Sequence, residues 1–149
     1  MSTDRIERSI VLRAPPARVW RALTDAQEFG QWFCVRLQSG FVVGERAVGQ
    51  ITNPGYEHVR FEAIVECMEP ERLFALRWHP NALEPARNYH DEPTTLIEFR
   101  LEPVPQGTRL TVTESGFDAL PASRREEAYR GNDAGWAEQL RNIEAYLAR

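Results

Sequence analysis

Apolar residues recur at helical spacing near the end of the chain, between residues 135 and 147. Trp136, Leu140, Ile143 and Leu147 follow one another at intervals of four, three and four residues, which places them on one face of an α-helix. Charged residues occupy the opposite face, so the helix must lay its apolar face against another element. Beneath it lies either a filled core, which would make the helix structural, or an incompletely filled space, which would make it the cover of a cavity.

A strand followed by two short helices is predicted at the start of the chain. Residues 6–14 alternate apolar and polar side chains, the pattern of a half-buried strand, and Pro15 ends it. Residues 17–23 then carry apolar positions at helical spacing. Thr24 and Gln27 have the spacing of a capping box, so a second short helix is predicted to begin there.

Alternation typical of strands continues from residue 34 to residue 117, interrupted by four turn signals. Several hairpins in succession predict a meandering antiparallel sheet. The turns are predicted at residues 39–40, 53–55, 69–71 and 105–107. The side chains predicted to face the core of the sheet are Val59, Phe61, Ala63, Val65, Cys67, Phe74, Leu76, Trp78, Ile97, Phe99 and Leu101.

The order of these elements predicts one α+β domain over residues 1–149. In it, a twisted antiparallel sheet of about seven strands wraps round the long C-terminal helix, with the two short helices after the first strand. Residues 121–130 are predicted to form one or two helical turns, after which Asn132 or Asp133 caps the final helix. A helix about 10 Å across covers only part of such a sheet, so the pattern favours a cavity beneath it.

Composition narrows the class of protein. The 149 residues are 42% hydrophobic and 27% charged, with no apolar run near the roughly 20 residues of a membrane span and no signal peptide. A net charge of −4, with both signs interspersed, argues against nucleic acid as a partner. All 18 basic residues are arginine, which excludes Schiff-base chemistry on lysine and a P-loop lysine.

The two cysteines bear on the compartment. Cys34 and Cys67 lie far apart in the sequence and beside apolar neighbours, so they are predicted to be buried free thiols. Free thiols are typical of a reducing environment, and we expect a cytoplasmic protein.

Four stretches carry a family resemblance, and together they span almost the whole chain: IVLRAPPARVWRALTD, FGQWF, GTRLTVTESGF and GWAEQLRNIEAYL. In this order they resemble the helix-grip fold of the START and polyketide-cyclase superfamily (SRPBCC). Within it they are similar to stand-alone bacterial members of the family of the heat-shock-protein-90 ATPase activator. The resemblance implies a sheet that grips the long helix around an elongated, mostly apolar cavity. It also implies a small hydrophobic molecule as the partner, because members are chiefly small-molecule binders.

Aromatic side chains are the main candidates for contact with a ligand. Trp32 and Phe33 follow the second short helix, at what the fold would make one mouth of the cavity, with core packing as the alternative. Rings on the inner face of the sheet suit flat apolar ligands, although an ordinary core explains them equally well. The candidate ligand-binding residues are Trp32, Phe33, Phe61, Phe74, Trp78, Phe99, Glu114, Trp136 and Leu140.

Glu114 is the only candidate for a catalytic residue. It shares a strand face with Val112, so its carboxylate is predicted to point inward. A buried carboxylate needs partners, and such groups are common at functional sites. The favoured alternatives are a position at the strand end that reaches water, or an ion pair with an arginine. Arg46, Arg77 and Arg100 are the candidate partners, although strand alternation places the last two on the opposite face of the sheet.

No metal site and no cofactor are predicted. His58, His79 and His90 have no recognised ligand spacing. The connection over residues 80–93 is long for a hairpin, and long loops often line or gate a site. Whether this loop gates the cavity is left open.

Three functions stay open at this point. The leading interpretation is binding of a small apolar or amphipathic molecule in a cavity between the sheet and the C-terminal helix. A small cyclase-like or hydrolase-like enzyme would use the same cavity, with Glu114 as general acid or base. A chaperone-interacting module would regulate the ATPase of heat-shock protein 90, but 149 residues leave no room for the second domain of eukaryotic co-chaperones, so a chaperone partner is not favoured. We expect a binding protein rather than an enzyme, and a homodimer is left open.

Overall fold

Residues 4–84 and 87–149, which a computed structural model describes, form seven strands and three α-helices. The chain ends, as predicted, in the longest helix, after an α+β arrangement of strand, two short helices and six strands. The strands are β1 (Arg5–Leu12), β2 (Val35–Leu37), β3 (Arg46–Ile51), β4 (Arg60–Glu69), β5 (Leu73–Trp78), β6 (Thr95–Val104) and β7 (Gly107–Ser115). The helices are α1 (Pro16–Thr24), α2 (Ala26–Phe33) and α3 (Ala122–Leu147), with a 3₁₀ turn at Phe117–Ala119.

All seven strands join one antiparallel sheet in the order β1-β7-β6-β5-β4-β3-β2. Strands β2 to β7 form the meander that the turn signals predicted, and β1 pairs with β7 at the far edge. Helices α1 and α2 therefore connect the two edges of the sheet. Because α2 also contacts α3, the helices cover one face of the sheet together.

The covered face of the sheet is apolar. Phe74 on β5 and Phe99 on β6 lie opposite each other, are 0% and 1% exposed, and stack with ring centroids 6.0 Å apart. Strand alternation thus predicted the inner face well, because a residue faces the core at every second position. Buried inward side chains from five strands continue this surface: Ala47, Phe61, Ala63, Val65, Leu76, Ile97, Leu101, Leu110 and Val112.

The cysteines depart from prediction. Cys34 and Cys67 are free thiols but only half-buried. A β-bulge between Val65 and Cys67 shifts the register by one residue, so that Cys67 pairs with Ala75 and Met68 packs against the core instead. The prediction that Cys67 faces the core was therefore wrong, since the alternation does not continue through a bulge.

The predicted capping box of α2 is displaced by one residue. Asp25, not Thr24, is the N-cap, and its carboxylate accepts a hydrogen bond from the Glu28 backbone N–H at 3.0 Å. The Thr24 hydroxyl donates instead to a backbone carbonyl one turn earlier in α1. The helix ends at Phe33 because Cys34 takes the left-handed conformation, with φ of 65°.

The C-terminal helix is longer than predicted. One continuous helix of 26 residues runs from Ala122 to Leu147, without the break expected near Asn132 and Asp133. The side chains of these two residues do not cap a helix: they contact Glu114 and Arg8 on the sheet. The prediction failed because residue types that favour N-caps also occur inside helices where a tertiary partner satisfies them. No helix in the described part of the chain is long and apolar enough to cross a membrane.

Candidate functional site

A cleft of about 970 Å³ opens between the middle of α3, the end of α2 and the loops that follow β3 and β5. Polar side chains from residues 53–58, from residues 79–84 and 87–90, and from one side of α3 form its walls. The volume lies at the upper end of the roughly 300–1,000 Å³ typical of small-molecule pockets. The cleft opens beside the long helix, whose inward side chains Trp136, Leu140 and Ile143 are themselves buried.

Four aromatic side chains, Phe33, Phe61, Trp78 and Trp136, form what we call the aromatic floor of the cleft. The indoles of Trp78 and Trp136 stack with centroids 5.9 Å apart and planes at 28°. The ring of Phe33 lies 6.3 Å and 6.2 Å from these two indoles, and the ring of Phe61 lies 5.6 Å from that of Phe33. Residues from α2, β4, β5 and α3 thus make one continuous ring surface.

Glu114 lies behind the aromatic floor and is 0% exposed. Its Oε1 accepts a hydrogen bond from Trp136 Nε1 at 2.8 Å, and its Oε2 accepts from Trp78 Nε1 at 2.7 Å and from Thr95 Oγ1 at 2.5 Å. The Asn132 side-chain amide donates to both oxygens, at 3.0 Å and 3.1 Å. Every partner donates, so this carboxylate acts only as an acceptor, as the ionised form does.

Strand register and helix periodicity assemble these four donors. Trp78 and Thr95 lie opposite each other on the neighbouring strands β5 and β6, and Glu114 projects from β7, the next strand in the sheet. Asn132 and Trp136 are four residues apart on α3, so they share the face that looks down on the sheet. The network therefore joins three strands to the long helix.

No arginine in the described part of the chain pairs with Glu114. Arg46, Arg77 and Arg100 each pair with another glutamate, at N···O distances of 2.8 to 3.1 Å. The predicted alternatives of an arginine ion pair or a water-exposed strand end were therefore both wrong. Glu114 does not line the cleft, and donors occupy both of its oxygens. A bound molecule would have to displace one of these donors, an indole or the Asn132 amide, to exchange a proton with it, which disfavours the acid or base role.

A buried ion pair fixes one wall of the cleft. Arg124, near the start of α3, lies 2.9 Å from Glu92, and the two side chains are 4% and 9% exposed. The Arg124 guanidinium also donates to the backbone carbonyls of Pro80 at 2.8 Å and Asn81 at 3.3 Å, and lies 4.8 Å from the centre of the Tyr89 ring. Arg124 therefore ties the loop after β5 to the long helix at several points.

The nine candidate ligand-contacting residues divide into three groups. The four residues of the aromatic floor line the cleft, and Glu114 lies behind it. The other four are 0% to 7% exposed and pack in the core without lining the cleft: Trp32, Phe74, Phe99 and Leu140. Trp32, for example, donates its Nε1–H to the Ala22 carbonyl at 2.8 Å.

The three histidines converge on the cleft without forming a metal site. His58, His79 and His90 all line it, and the rings of His79 and His90 are 5.7 Å apart. Across residues 4–84 and 87–149, no three His, Cys, Asp or Glu side chains converge as metal ligands would. The loop over residues 80–93, whose gating role is a prediction, supplies one wall, although residues 85 and 86 lie outside the described residues.

Sequence reasoning missed the polar partners of the site. Asn132 and Thr95 bind Glu114, and Arg124 holds the loop, yet none of the three was a candidate. A signal existed for Asn132: in a helix continuous through residue 131, it lies one turn before Trp136 and on the same face. No sequence signal pointed to Arg124, because arginine in the first turns of a helix is usually exposed.

A seven-stranded antiparallel sheet that wraps one long helix beside an aromatic-floored cleft defines a helix-grip domain. Within that class, the chain belongs to the family described as "Activator of Hsp90 ATPase homolog 1-like protein", whose sequence model matches residues 13–148. The family resemblance is thereby confirmed. No protein with a curated description matches the sequence.

Solved structures share the fold. Protein MLL2253 from Mesorhizobium loti is 23% identical, with a TM-score of 0.76 and 97% of each chain covered. The Aha1 dimer from Colwellia psychrerythraea is 21% identical, with a TM-score of 0.70 over 96% of this chain and 95% of that one. DynU16, from the dynemicin biosynthetic locus, is 23% identical with a TM-score of 0.74, over 97% of this chain but 47% of its own. At such identities the likeness establishes the fold alone.

Proposed function

We propose that the protein binds a small apolar or amphipathic molecule in the cleft between the sheet and α3. The observation that carries this proposal is the aromatic floor, four rings from four elements that border about 970 Å³ of space. Apolar lining with a few polar groups around it is the usual composition of a small-molecule site. An apolar ligand body would cover the rings and remove apolar surface from water.

The walls explain why an amphipathic ligand fits. Amide and imidazole side chains surround the floor, among them Asn53, His58, Asn81, His90 and Asn142. These groups can donate or accept hydrogen bonds, so a polar end of the ligand finds partners at the walls while its apolar body covers the floor. The cleft therefore separates the two kinds of contact that an amphipathic molecule needs.

Two alanines of α3 provide a matched test. Ala134 is exposed and lines the cleft, whereas Ala145 is exposed on the same helix and does not line it. In Ala134→Trp the new indole fills the cleft, so affinity for the neutral probe N-phenyl-1-naphthylamine should fall about tenfold or more. Ala145→Trp should bind the probe like the wild type. Fluorescence titration measures both, and native mass spectrometry of the purified protein identifies any molecule it already carries.

Two results contradict the binding proposal. One is a wild-type protein that takes up no neutral apolar probe and carries no small molecule from its host cell. The other is equal probe affinity in Ala134→Trp and the wild type, which would place binding outside the cleft. The enzyme alternative gains no support from Glu114, which does not line the cleft and whose oxygens are both occupied by donors.

The family description favours testing a second function, interaction with a chaperone. The ATPase rate of heat-shock protein 90 would rise on addition of this protein if it acts as an activator, and an unchanged rate at saturating protein would exclude that role. The Colwellia relative is a dimer, so light scattering should determine whether this chain self-associates. We also expect a reducing, cytoplasmic location, which suits the two half-buried thiols.

A further inference from the structure

We infer that the cleft selects an organic cation, a ligand whose positively charged nitrogen lies over the aromatic floor. The inference rests on the proposed binding function and names the chemical class of the ligand. It follows from three features of the described residues: a buried carboxylate without a counter-ion, the direction of two indole N–H groups, and the charges of the cleft walls.

Among residues 4–84 and 87–149, no positively charged group pairs with the carboxylate of Glu114. All four of its donors are neutral groups, and two arginines on the adjacent elements β1 and α3 pair with other carboxylates. Arg8 pairs with Asp133 at 2.8 Å, and Arg124 pairs with Glu92 at 2.9 Å. A negative charge inside a protein acts over several ångströms because the surroundings screen it weakly. The aromatic floor, one indole ring away, is therefore at negative potential.

The indoles add to this effect. The N–H groups of Trp78 and Trp136 both point away from the cleft and donate to Glu114, so the hydrocarbon part of each ring is left to border the cleft. The faces of aromatic rings are negative and attract cations, tryptophan most strongly. Donation of a hydrogen bond to an anion makes the ring richer in electrons, which strengthens that attraction.

The charged side chains of the cleft walls leave the electrostatic potential in the cleft negative. Two arginines line the cleft, and each shares a glutamate with a second arginine: Glu62 lies 3.8 Å from Arg60 and 3.1 Å from Arg46, and Glu92 lies 3.2 Å from Arg87 and 2.9 Å from Arg124. Three glutamates also line the cleft, namely Glu62, Glu84 and Glu138. With Glu114 behind the floor, acidic groups around the cleft outnumber basic ones, so an anionic ligand is disfavoured.

Hydrogen bonding narrows the class of cation. Neutral donors already occupy both oxygens of Glu114, so the floor offers no acceptor for an N–H group. A primary ammonium over the rings would give up hydrogen bonds to water and would find acceptors only at the cleft walls, whereas a quaternary ammonium has no such bonds to lose. We therefore expect quaternary ammonium or N-alkylated aromatic cations with an apolar body.

Three probes of nearly the same shape test this inference. They are (2-naphthylmethyl)trimethylammonium, 2-neopentylnaphthalene, in which carbon replaces the nitrogen, and the anion 2-naphthylacetate. Each is titrated against the wild-type protein by displacement of N-phenyl-1-naphthylamine. The cation should bind about tenfold tighter than the neutral isostere, and the anion should bind weakest. In Glu114→Gln the preference for the cation should largely disappear, while Glu102→Gln, an exposed glutamate on β6, should keep it.

The outcomes separate the two proposals. Equal binding of cation and neutral isostere, or tightest binding of the anion, would overturn the cation inference and leave the proposed binding function intact. Failure of all three probes and of the fluorescent probe would overturn both. A full preference in Glu114→Gln would show that this carboxylate is not its source. If Glu114→Gln does not fold, the wild-type ranking of the three probes decides, because it requires no variant.

Discussion

Two aromatic clusters of similar ring spacing lie side by side in this protein, one inside the core and one at the edge of the cleft. The closed cluster consists of Phe29, Phe41, Phe74 and Phe99, with successive centroids 5.2, 5.1 and 6.0 Å apart. It touches the aromatic floor at three points: Phe29 lies 4.8 Å and 6.1 Å from the two floor phenylalanines, and Phe99 lies 5.6 Å from the Trp136 indole. The closed cluster is buried between sheet and helices, whereas the floor borders the cleft.

The difference lies in what holds the rings. In the closed cluster, neighbours on all sides fix each phenylalanine, and no polar atom of its side chains needs a partner. The floor is packed almost as tightly, with Phe61 and Trp136 each 3% exposed, but it borders the cleft, and both of its indoles donate a hydrogen bond to Glu114. A ring surface at the edge of a cleft can therefore be held by directional bonds from behind, at the expense of a buried carboxylate.

The largest expected effect is a loss of stability, which should be greater for a phenylalanine of the closed cluster than for one of the aromatic floor. Phe74→Ala should lower the free energy of unfolding by about 4 kcal/mol, because it leaves a closed cavity in the core. Phe61→Ala should cost less, about 3 kcal/mol, because Phe61 is 3% exposed but borders the cleft, so that water can enter part of the vacated space. Chemical denaturation of both variants measures the two values. Equal losses would mean that the floor is packed like the closed cluster and that the comparison is wrong.

Glu114→Gln tests the bonds behind the floor and should have the next largest effect. The amide group keeps the shape but places an N–H₂ among four donors, so the free energy of unfolding should fall by about 2–3 kcal/mol. In NMR spectra the indole N–H signals of Trp78 and Trp136 should shift, while those of Trp20 and Trp32 stay in place. Glu102→Gln is the control on an exposed glutamate. Unchanged signals and stability would show that Glu114 does not position the indoles.

Periodicity alone predicted most of the fold. Alternation placed Phe74, Leu76, Ile97 and Phe99 on the inner face because a strand buried on one side has no other way to hide apolar side chains. Turn residues predicted the meander, since hairpins of this length join neighbouring antiparallel strands. Strand alternation also predicted that Trp78 faces inward from the sheet, and the helical period predicted that Trp136 faces inward from the helix.

The sequence could not divide core from cleft in advance. Phe74 and Trp78 are both inward residues of β5, yet only Trp78 borders the cleft, because the loop after β5 leaves space at that end of the strand. The bonds of Asn132 and Arg124 depend on contacts with residues far away in sequence, which local patterns do not contain. The bulge that turned Cys67 outward likewise depends on pairing with a neighbouring strand.

A second carboxylate sharpens the comparison, because charged partners surround Glu28 where neutral ones surround Glu114. Glu28, on α2, lies 2.6 Å from Arg18 and 2.8 Å from Arg21, both on α1, and accepts a hydrogen bond from the Tyr146 hydroxyl at 2.8 Å. Burial raises the pKa of Glu28, but the bonds from Tyr146 and Arg18 and the charge of Arg21 outweigh it, so the pKa lies below its ordinary value. This network anchors α2, which carries rings of both clusters, to α1 and α3.

Glu28→Gln should have the smallest effect, a loss of about 1 kcal/mol near neutral pH, because solvent screens its partners in part. The lowered pKa means that the unfolded chain takes up the proton at higher pH than the folded protein. The contribution of Glu28 is therefore present above its ordinary pKa of 4.5 and is lost as the pH falls through the lowered folded value. Urea titrations from pH 7 to pH 3 should show the wild type and Glu28→Gln converging in stability at acid pH. Glu126→Gln, in an exposed pair on α3, is the control and should stay close to the wild type in stability at every pH. If the difference in stability between the wild type and Glu28→Gln is undiminished at pH 3, the charged network is not its cause.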